Sequence, residues 1–471
     1  MTGTIRVNEH LKKIYGIKTM RLNRLSHFVI VFILLLGGCT RHGVIDNPPI
    51  AKIDEQKGYS WEAWAKAHNN EDIHLMLSFS GGGTRAAAFA YGVLQGLRDT
   101  TIEVDGKSVR LLDEIDYISS VSGGSFTSAY YGLYRDRIFE DFEQDFLLRD
   151  IEGHLMWGIF NPMEWFRKGG RTEMAIRYYN KHIFHDATFA DINVKEGGPL
   201  ILINASDLSH GVRFSFIQDY FNLLCSDLSN FPVAKAVTAS SAVPLVFLPV
   251  VLENYKECDT SNLQWLSAAR KNAGSDPQLD QIIDNIESLL DKDKRRYIHM
   301  VDGGITDNLG LLAAYDLITL SGGPEAVIHR FHHKPAKYLV MISVDASTDY
   351  NISMDKSNAE PSIVETIEAM SDVMLYRSNT SSEELVEEAL RQWAKDTSTQ
   401  ELEVKSHFIH IKADAIRKEK DRQLFNKIPT SFSLSQNQVN LLVNTGRTLL
   451  EGNPHYQQLV NELGGSIIHK Q

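Results

Sequence analysis

Ile115-Asp116-Tyr117-Ile118-Ser119-Ser120-Val121-Ser122-Gly123-Gly124-Ser125 begins as an apolar strand and passes, through small residues, into Phe126 to Leu133 at helical spacing. A strand that bends sharply into a helix through small-x-Ser-x-Gly is the pattern of a nucleophile elbow. The backbone comes so close to itself there that the positions two either side of the serine must be tiny, and the hydroxyl is left standing at the turn. Ser122 is therefore a candidate nucleophile, with Gly123 and Gly124 as elbow glycines. Ser120 stands where glycine is usual and adds a hydroxymethyl group at a crowded point.

Outward from this stretch, apolar runs at 73–79, 200–205, 246–252, 297–301 and 338–344 alternate with helical patterns. Such alternation predicts an α/β fold with a mostly parallel sheet over residues 71–350. Two stretches interrupt it. Residues 132–195 hold Phe139, Phe142, Phe146, Trp157, Phe160, Trp165 and Phe166, a pattern that fits either a lipid-facing cap or buried helices; residues 259–296 read as polar helix. Residues 351–471 have helical spacing and read as a mainly helical extension. The chain has 471 residues, 43% of them hydrophobic, enough for a large core. A net charge of -12 argues against a nucleic-acid partner, because neutralising phosphates needs clustered Lys and Arg. No run reaches the roughly 18 to 20 apolar residues that cross a bilayer.

Two further stretches carry chemistry. Ser80-Gly81-Gly82-Gly83-Thr84-Arg85-Ala86 follows a predicted strand and opens a helix, so backbone N–H groups unobstructed by Cβ atoms can face a negative oxygen. The same loop satisfies Gly81-x-Gly83-x-x-Ala86, with Glu103 and Asp105 at about the distance of a dinucleotide fingerprint. Arg85 can hold the loop or meet a phosphate. Asp302-Gly303-Gly304-Ile305-Thr306-Asp307-Asn308 places a carboxylate after an apolar strand, where Asp302 can act as a general base; Asp-Gly is also a common turn. Ser122, Asp302 and His332 follow the chain order of a hydrolase triad, yet His332 and His333 lie between Arg330 and Lys334 in what reads as a solvated connection. There is no His-Glu-x-x-His and no cysteine ligand set, so no metal is expected.

These blocks, together with Ala239-Ser240-Ser241-Ala242-Val243-Pro244-Leu245-Val246-Phe247, resemble in order the patatin-like phospholipase family across residues 73–310. The resemblance implies a three-layer α/β/α domain and a lipid acyl hydrolase without a metal or other cofactor: a Ser122–Asp302 dyad, an oxyanion loop of Gly81, Gly82 and Gly83, and a lipid or phospholipid substrate. Ser80 replaces the Asp of plant patatins and looks more like the related cytosolic phospholipase A2 form. Two other readings stay open. One is a catalytically silent, membrane-anchored binding module, favoured by Ser120; the other is a dinucleotide-binding enzyme using the Gly81 loop.

At the N-terminus, Arg21 and Arg24 precede the apolar run 28–36 and then Leu36-Gly37-Gly38-Cys39. Basic, apolar and small-residue zones in that order read as an export signal over residues 1–38. Leu-Gly-Gly-Cys resembles the lipobox of bacterial lipoproteins, which implies lipidation of Cys39, a tether over 39–70 and anchoring in the cell envelope, at the outer membrane in a Gram-negative cell. Removing residues 1–38 takes the charge to about -17, because they carry six basic residues and only Glu9 opposite. Electrostatic attraction to anionic lipid is then weak. Cys225 and Cys258 can pair in an oxidising compartment.

Overall fold

A computed structural model describes residues 42–468, apart from 155–169, 349–357 and the short stretches 56, 69–71, 105, 193, 195–196, 245, 262, 274–276 and 359. The expected signal, Cys39, Trp157, Phe160, Trp165 and Phe166 lie outside the described residues. From Gly43 to Gln471 the chain forms one compact unit.

Its strands are β1 (Ile73–Phe79), β2 (Thr100–Val104), β3 (Lys107–Arg110), β4 (Ile115–Val121), β5 (Leu200–Asp207), β6 (Val212–Ser215), β7 (Val250–Glu253), β8 (Tyr297–Val301), β9 (Tyr338–Asp345), β10 (Lys405–Lys412) and β11 (Ser466–Ile467). The central sheet runs β10-β9-β1-β4-β5-β8-β7, with β6 beside β5. From β10 to β5 every pairing is parallel, whereas β8 and β6 run antiparallel to β5, and β7 antiparallel to β8. This is the α/β/α architecture with a mostly parallel sheet. β4 and β5 are buried at every position, which demands helices on both faces.

The run expected at 246–252 becomes a strand only at Val250. Pro244 and Pro249 have no N–H to donate to a ladder, and Val246 and Phe247 turn instead of pairing. Phe142 and Phe146 of the aromatic segment are fully buried, and Phe146 stacks on Phe126 with centroids 4.3 Å apart, so these rings belong to the core. Cys225 and Cys258 form a disulfide.

Residues beyond 350 are bound into the same body. β10 extends the central sheet in parallel with β9, and β11 pairs with β2 in a separate three-stranded sheet. Helix Gly83–Arg98 is buried on nearly all sides, so a second layer must cover the flank that the sheet does not. Helix Gln436–Glu451 provides it. The two meet at glycines: a Cβ on Gly92 would lie 2.1 Å from the Val443 carbonyl, and one on Gly446 2.3 Å from the Phe89 carbonyl.

Candidate active site

Ser122 follows the last residue of β4 and caps helix Gly123–Tyr134, with φ 50° and ψ -118°. A non-glycine residue pays steric strain in that conformation, and such strain persists only where the surroundings over-determine it. They do so here. The Ser122 N–H donates to the Ser240 hydroxyl at 2.9 Å, and that hydroxyl donates to the Asn204 carbonyl at 2.6 Å. A Cβ on Gly123 would stand 2.0 Å from the Gly83 carbonyl oxygen, and one on Gly124 2.7 Å from that of Phe79. Elbow and glycine loop are thus pressed together with no room for larger residues.

Ser120 causes no crowding. Its hydroxyl lies 2.6 Å from that of Ser128 and 3.2 Å from the Leu202 carbonyl, so the extra atoms are absorbed in a buried polar contact.

Asp302 follows β8. Its N–H donates to the Ala242 carbonyl at 3.0 Å, and the next N–H, from Gly303, to the Ser240 carbonyl at 3.0 Å. Gly304 N–H donates to the Asp302 carboxylate at 2.8 Å. Burial pushes the Asp302 carboxyl up to about 6, while hydrogen bonds from Gly304 and from the Ser122 side chain work in the opposite direction. The hydroxyl and the carboxylate, 180 residues apart in sequence, are therefore neighbours.

Within the glycine loop the structure narrows the donor set. Gly81 N–H is engaged by the Asn308 carbonyl at 3.0 Å, which takes it out of the expected oxyanion set. Thr84 N–H is engaged by the Ser431 carbonyl at 2.9 Å. Among the described residues, the N–H groups of Gly82 and Gly83 meet no backbone carbonyl outside their helix. Both have positive φ, 137° and 60°, which glycine adopts without penalty. Arg85 is a strut: its guanidinium donates to the Ala346 carbonyl at 3.0 Å and the Ile428 carbonyl at 2.9 Å.

The sequence did not single out Asn308, Ser240, Asn379 or Ser431 for these positions. Asn308 and Ser240 sit inside the stretches 302–308 and 239–247. Asn379 and Ser431 carry no local signal, being polar residues of a tail that folding returns to the loop. Asn308 donates to the Asn379 amide oxygen at 3.3 Å, and Asn379 to the Ser347 hydroxyl at 3.2 Å.

Two rival arrangements are not assembled. His333 contacts the Ala65 carbonyl at 2.7 Å and stacks on His74, near the start of β1, whereas Ser122 sits with the loops that follow the ends of β1 and β4. His332 is exposed on the same connection. For a dinucleotide, Glu103 would have to end a strand beside β1; it lies instead in β2 of the separate sheet, and β1 is flanked by β4 and β9. Among the described residues no group of three or more His, Cys, Asp or Glu side chains is placed to hold a metal ion.

The patatin-like phospholipase family model matches residues 77–315, a span that includes both Ser122 and Asp302. The chain belongs to that family. Solved structures similar to this patatin-like chain include human GIVD cytosolic phospholipase A2, at 12% identity and TM-score 0.44, covering 86% of this chain and 65% of the other. The same human protein in complex with methyl gamma-linolenyl fluorophosphonate matches at 11% identity and TM-score 0.38, covering 86% and 62%. VipD from Legionella pneumophila matches at 12% identity and TM-score 0.31, covering 84% and 67%. The chain thus spans a little under two thirds of the human protein's length. No curated protein matches it in sequence.

Proposed function

We propose that this chain is a serine acyl hydrolase cleaving fatty acyl esters of phospholipids or related lipids. The observation that carries the reading is the strained serine at the elbow beside a buried carboxylate whose affinity for protons is raised to about 6. A hydroxyl is a poor nucleophile until a base removes its proton. Asp302, ionised at neutral pH, accepts the Ser122 proton as Oγ attacks the ester carbonyl. The carbonyl oxygen becomes negative and is met by the N–H groups of Gly82 and Gly83, each such donor contributing about 10² to 10³ in rate. The tetrahedral intermediate collapses, the C–O bond to the leaving alcohol breaks, and that oxygen takes the proton held by Asp302. Water then repeats the sequence on the acyl-enzyme and releases the fatty acid.

Arg85 serves this reading as a support of the loop, because it ties the start of the helix that follows the glycines to two buried carbonyls from distant parts of the chain. The Cys225–Cys258 disulfide supports an oxidising compartment, in keeping with export to a bacterial envelope and a lipid anchor on Cys39.

The experiment is fatty-acid release from mixed phospholipid vesicles by the parent, Ser122→Ala and Asp302→Asn proteins. Release by the parent and its loss in both variants is the expected result. Release retained by Ser122→Ala, or none from a folded parent, sinks the hydrolase reading.

A further inference from the structure

Eleven large apolar side chains are conspicuously exposed among the described residues, and four of them lie within a few residues of Ala242 or Asp302 in the chain. Val243, Val246 and Leu248 follow Ala242, whose carbonyl receives the Asp302 N–H, and Ile305 follows Asp302 by one helical turn. They are 38%, 49%, 39% and 52% exposed. The segment is built to present them. Val246 and Phe247 N–H groups donate to the Val243 carbonyl at 3.2 and 3.0 Å. Leu248 is pinned at both backbone polar groups by the Thr172 hydroxyl, at 2.8 and 2.9 Å. Phe247 turns inward, its ring 6.2 Å from that of Phe432, while its described neighbours face out. Residues 243–248 carry no charge.

The course of the N-terminal segment supplies an independent observation. Asn47 runs beside Glu253, accepting its N–H at 3.0 Å and donating to its carbonyl at 2.9 Å. Four residues earlier, Gly43 lies so close to Val251 that a Cβ would be 2.4 Å from its side chain. Followed backwards, the chain therefore climbs along β7 from its end toward its beginning, which is where residues 243–248 stand. Lys235, almost wholly buried, fixes this course by donating to the Val44 carbonyl at 2.7 Å and to Asp46 at 2.5 Å. Residues 1–42, with their apolar run at 28–36, precede Gly43 in sequence.

We propose that this face docks on a lipid bilayer, with Val243, Val246, Leu248 and Ile305 entering the interfacial layer beside the mouth of the Ser122–Asp302 site. The inference rests on the proposed lipid substrate. It goes further in naming the side chains that hold the surface and the orientation they impose. An acidic chain gains little from long-range attraction to phospholipid, so docking comes from apolar contact and withstands salt, which screens charges but not burial.

The test uses the full chain with Cys39→Ala, so that an introduced thiol is the only unpaired one. Val246→Cys is labelled with an environment-sensitive fluorophore and mixed with phosphatidylcholine vesicles. Ile468→Cys is the control, because Ile468 donates its N–H to the Asp99 carbonyl at the far end of helix Gly83–Arg98, about 24 Å from the glycine loop. A blue shift at 246 and none at 468, persisting in high salt, is expected. No shift at 246, equal shifts at both, or a shift abolished by salt overturns the proposal.

A second arm reads function. Val246→Asp combined with Leu248→Asp lowers hydrolysis of vesicle lipid by about tenfold or more, with hydrolysis of a soluble short-chain ester unchanged. Equal effects on the two substrates count against docking. Should the parent cleave neither ester, the hydrolase reading fails, and the fluorescence at 246 still decides whether this face meets lipid.

Discussion

Ser122 is held at its strained turn by Ser240, which accepts its backbone N–H at 2.9 Å, while the Ser240 carbonyl accepts the N–H that follows Asp302. One residue thus sets the spacing between the candidate nucleophile and its base. Ser240→Ala leaves the Ser122 N–H and the Asn204 carbonyl buried without that hydroxyl. A loss of about 1–3 kcal/mol of stability is expected, with slower labelling of Ser122 by a fluorophosphonate probe. Thermal unfolding and labelling kinetics check this; a variant equal to the parent in both would show that the elbow is held elsewhere.

The contact between elbow and glycine loop gives a second test. Gly123→Ala puts a methyl group 2.0 Å from the Gly83 carbonyl oxygen, a distance no relaxation of one side chain can relieve. Either the helix or the loop must move. The variant is expected to lose fluorophosphonate labelling and to melt well below the parent.

Asp302 predicts opposite effects on activity and stability. As a base it must be ionised, so ester hydrolysis rises as pH passes through about 6 and levels off above. Because burial raises its folded pKa above the unfolded one, the group's contribution to stability is fully present below the unfolded pKa, about 3.9. It is lost as pH rises through about 6. Asp302→Asn is therefore inactive yet melts higher than the parent at about pH 8, with the difference vanishing at about pH 4. Melting curves across that range decide it.

Arg85 links the loop to carbonyls of Ala346 and Ile428, both beyond the span that the family model matches. Arg85→Met keeps much of the side chain's bulk but strands two buried acceptors, at about 1–3 kcal/mol each. Chemical denaturation is expected to show the larger part of that loss, together with a lower rate of acylation. A stable variant with normal acylation would make the strut dispensable.

The disulfide closes a loop of 33 residues. In the chain-entropy account such a loop stabilises by about 3–4 kcal/mol. Replacing both cysteines by serine should lower the unfolding midpoint accordingly while leaving labelling of Ser122 intact below it.

Much of this site is written locally. The elbow at 115–125, the glycine loop at 80–86 and the Asp302 turn each carry their own geometry, because a tight turn needs tiny residues wherever it occurs and a buried strand needs an unbroken apolar run. Strand periodicity in β1, β4, β5, β8 and β9 follows for the same reason, and so does the parallel core of the sheet. Other features rest on contacts between residues far apart in the chain. The tail of Lys405–Lys412 is as short and mixed as a surface strand, and nothing in it announces pairing with β9. That Gly81 gives its N–H to Asn308 needs two distant loops to meet, and that Ser431 closes over Thr84 and Asn379 steadies Asn308 needs the tail, with helix 363–397 and the segment before helix 436–451, to fold back onto them. Local sequence sets backbone preferences and solvent exposure, whereas a hydrogen bond between distant segments exists only once the burial of many other side chains has brought them together.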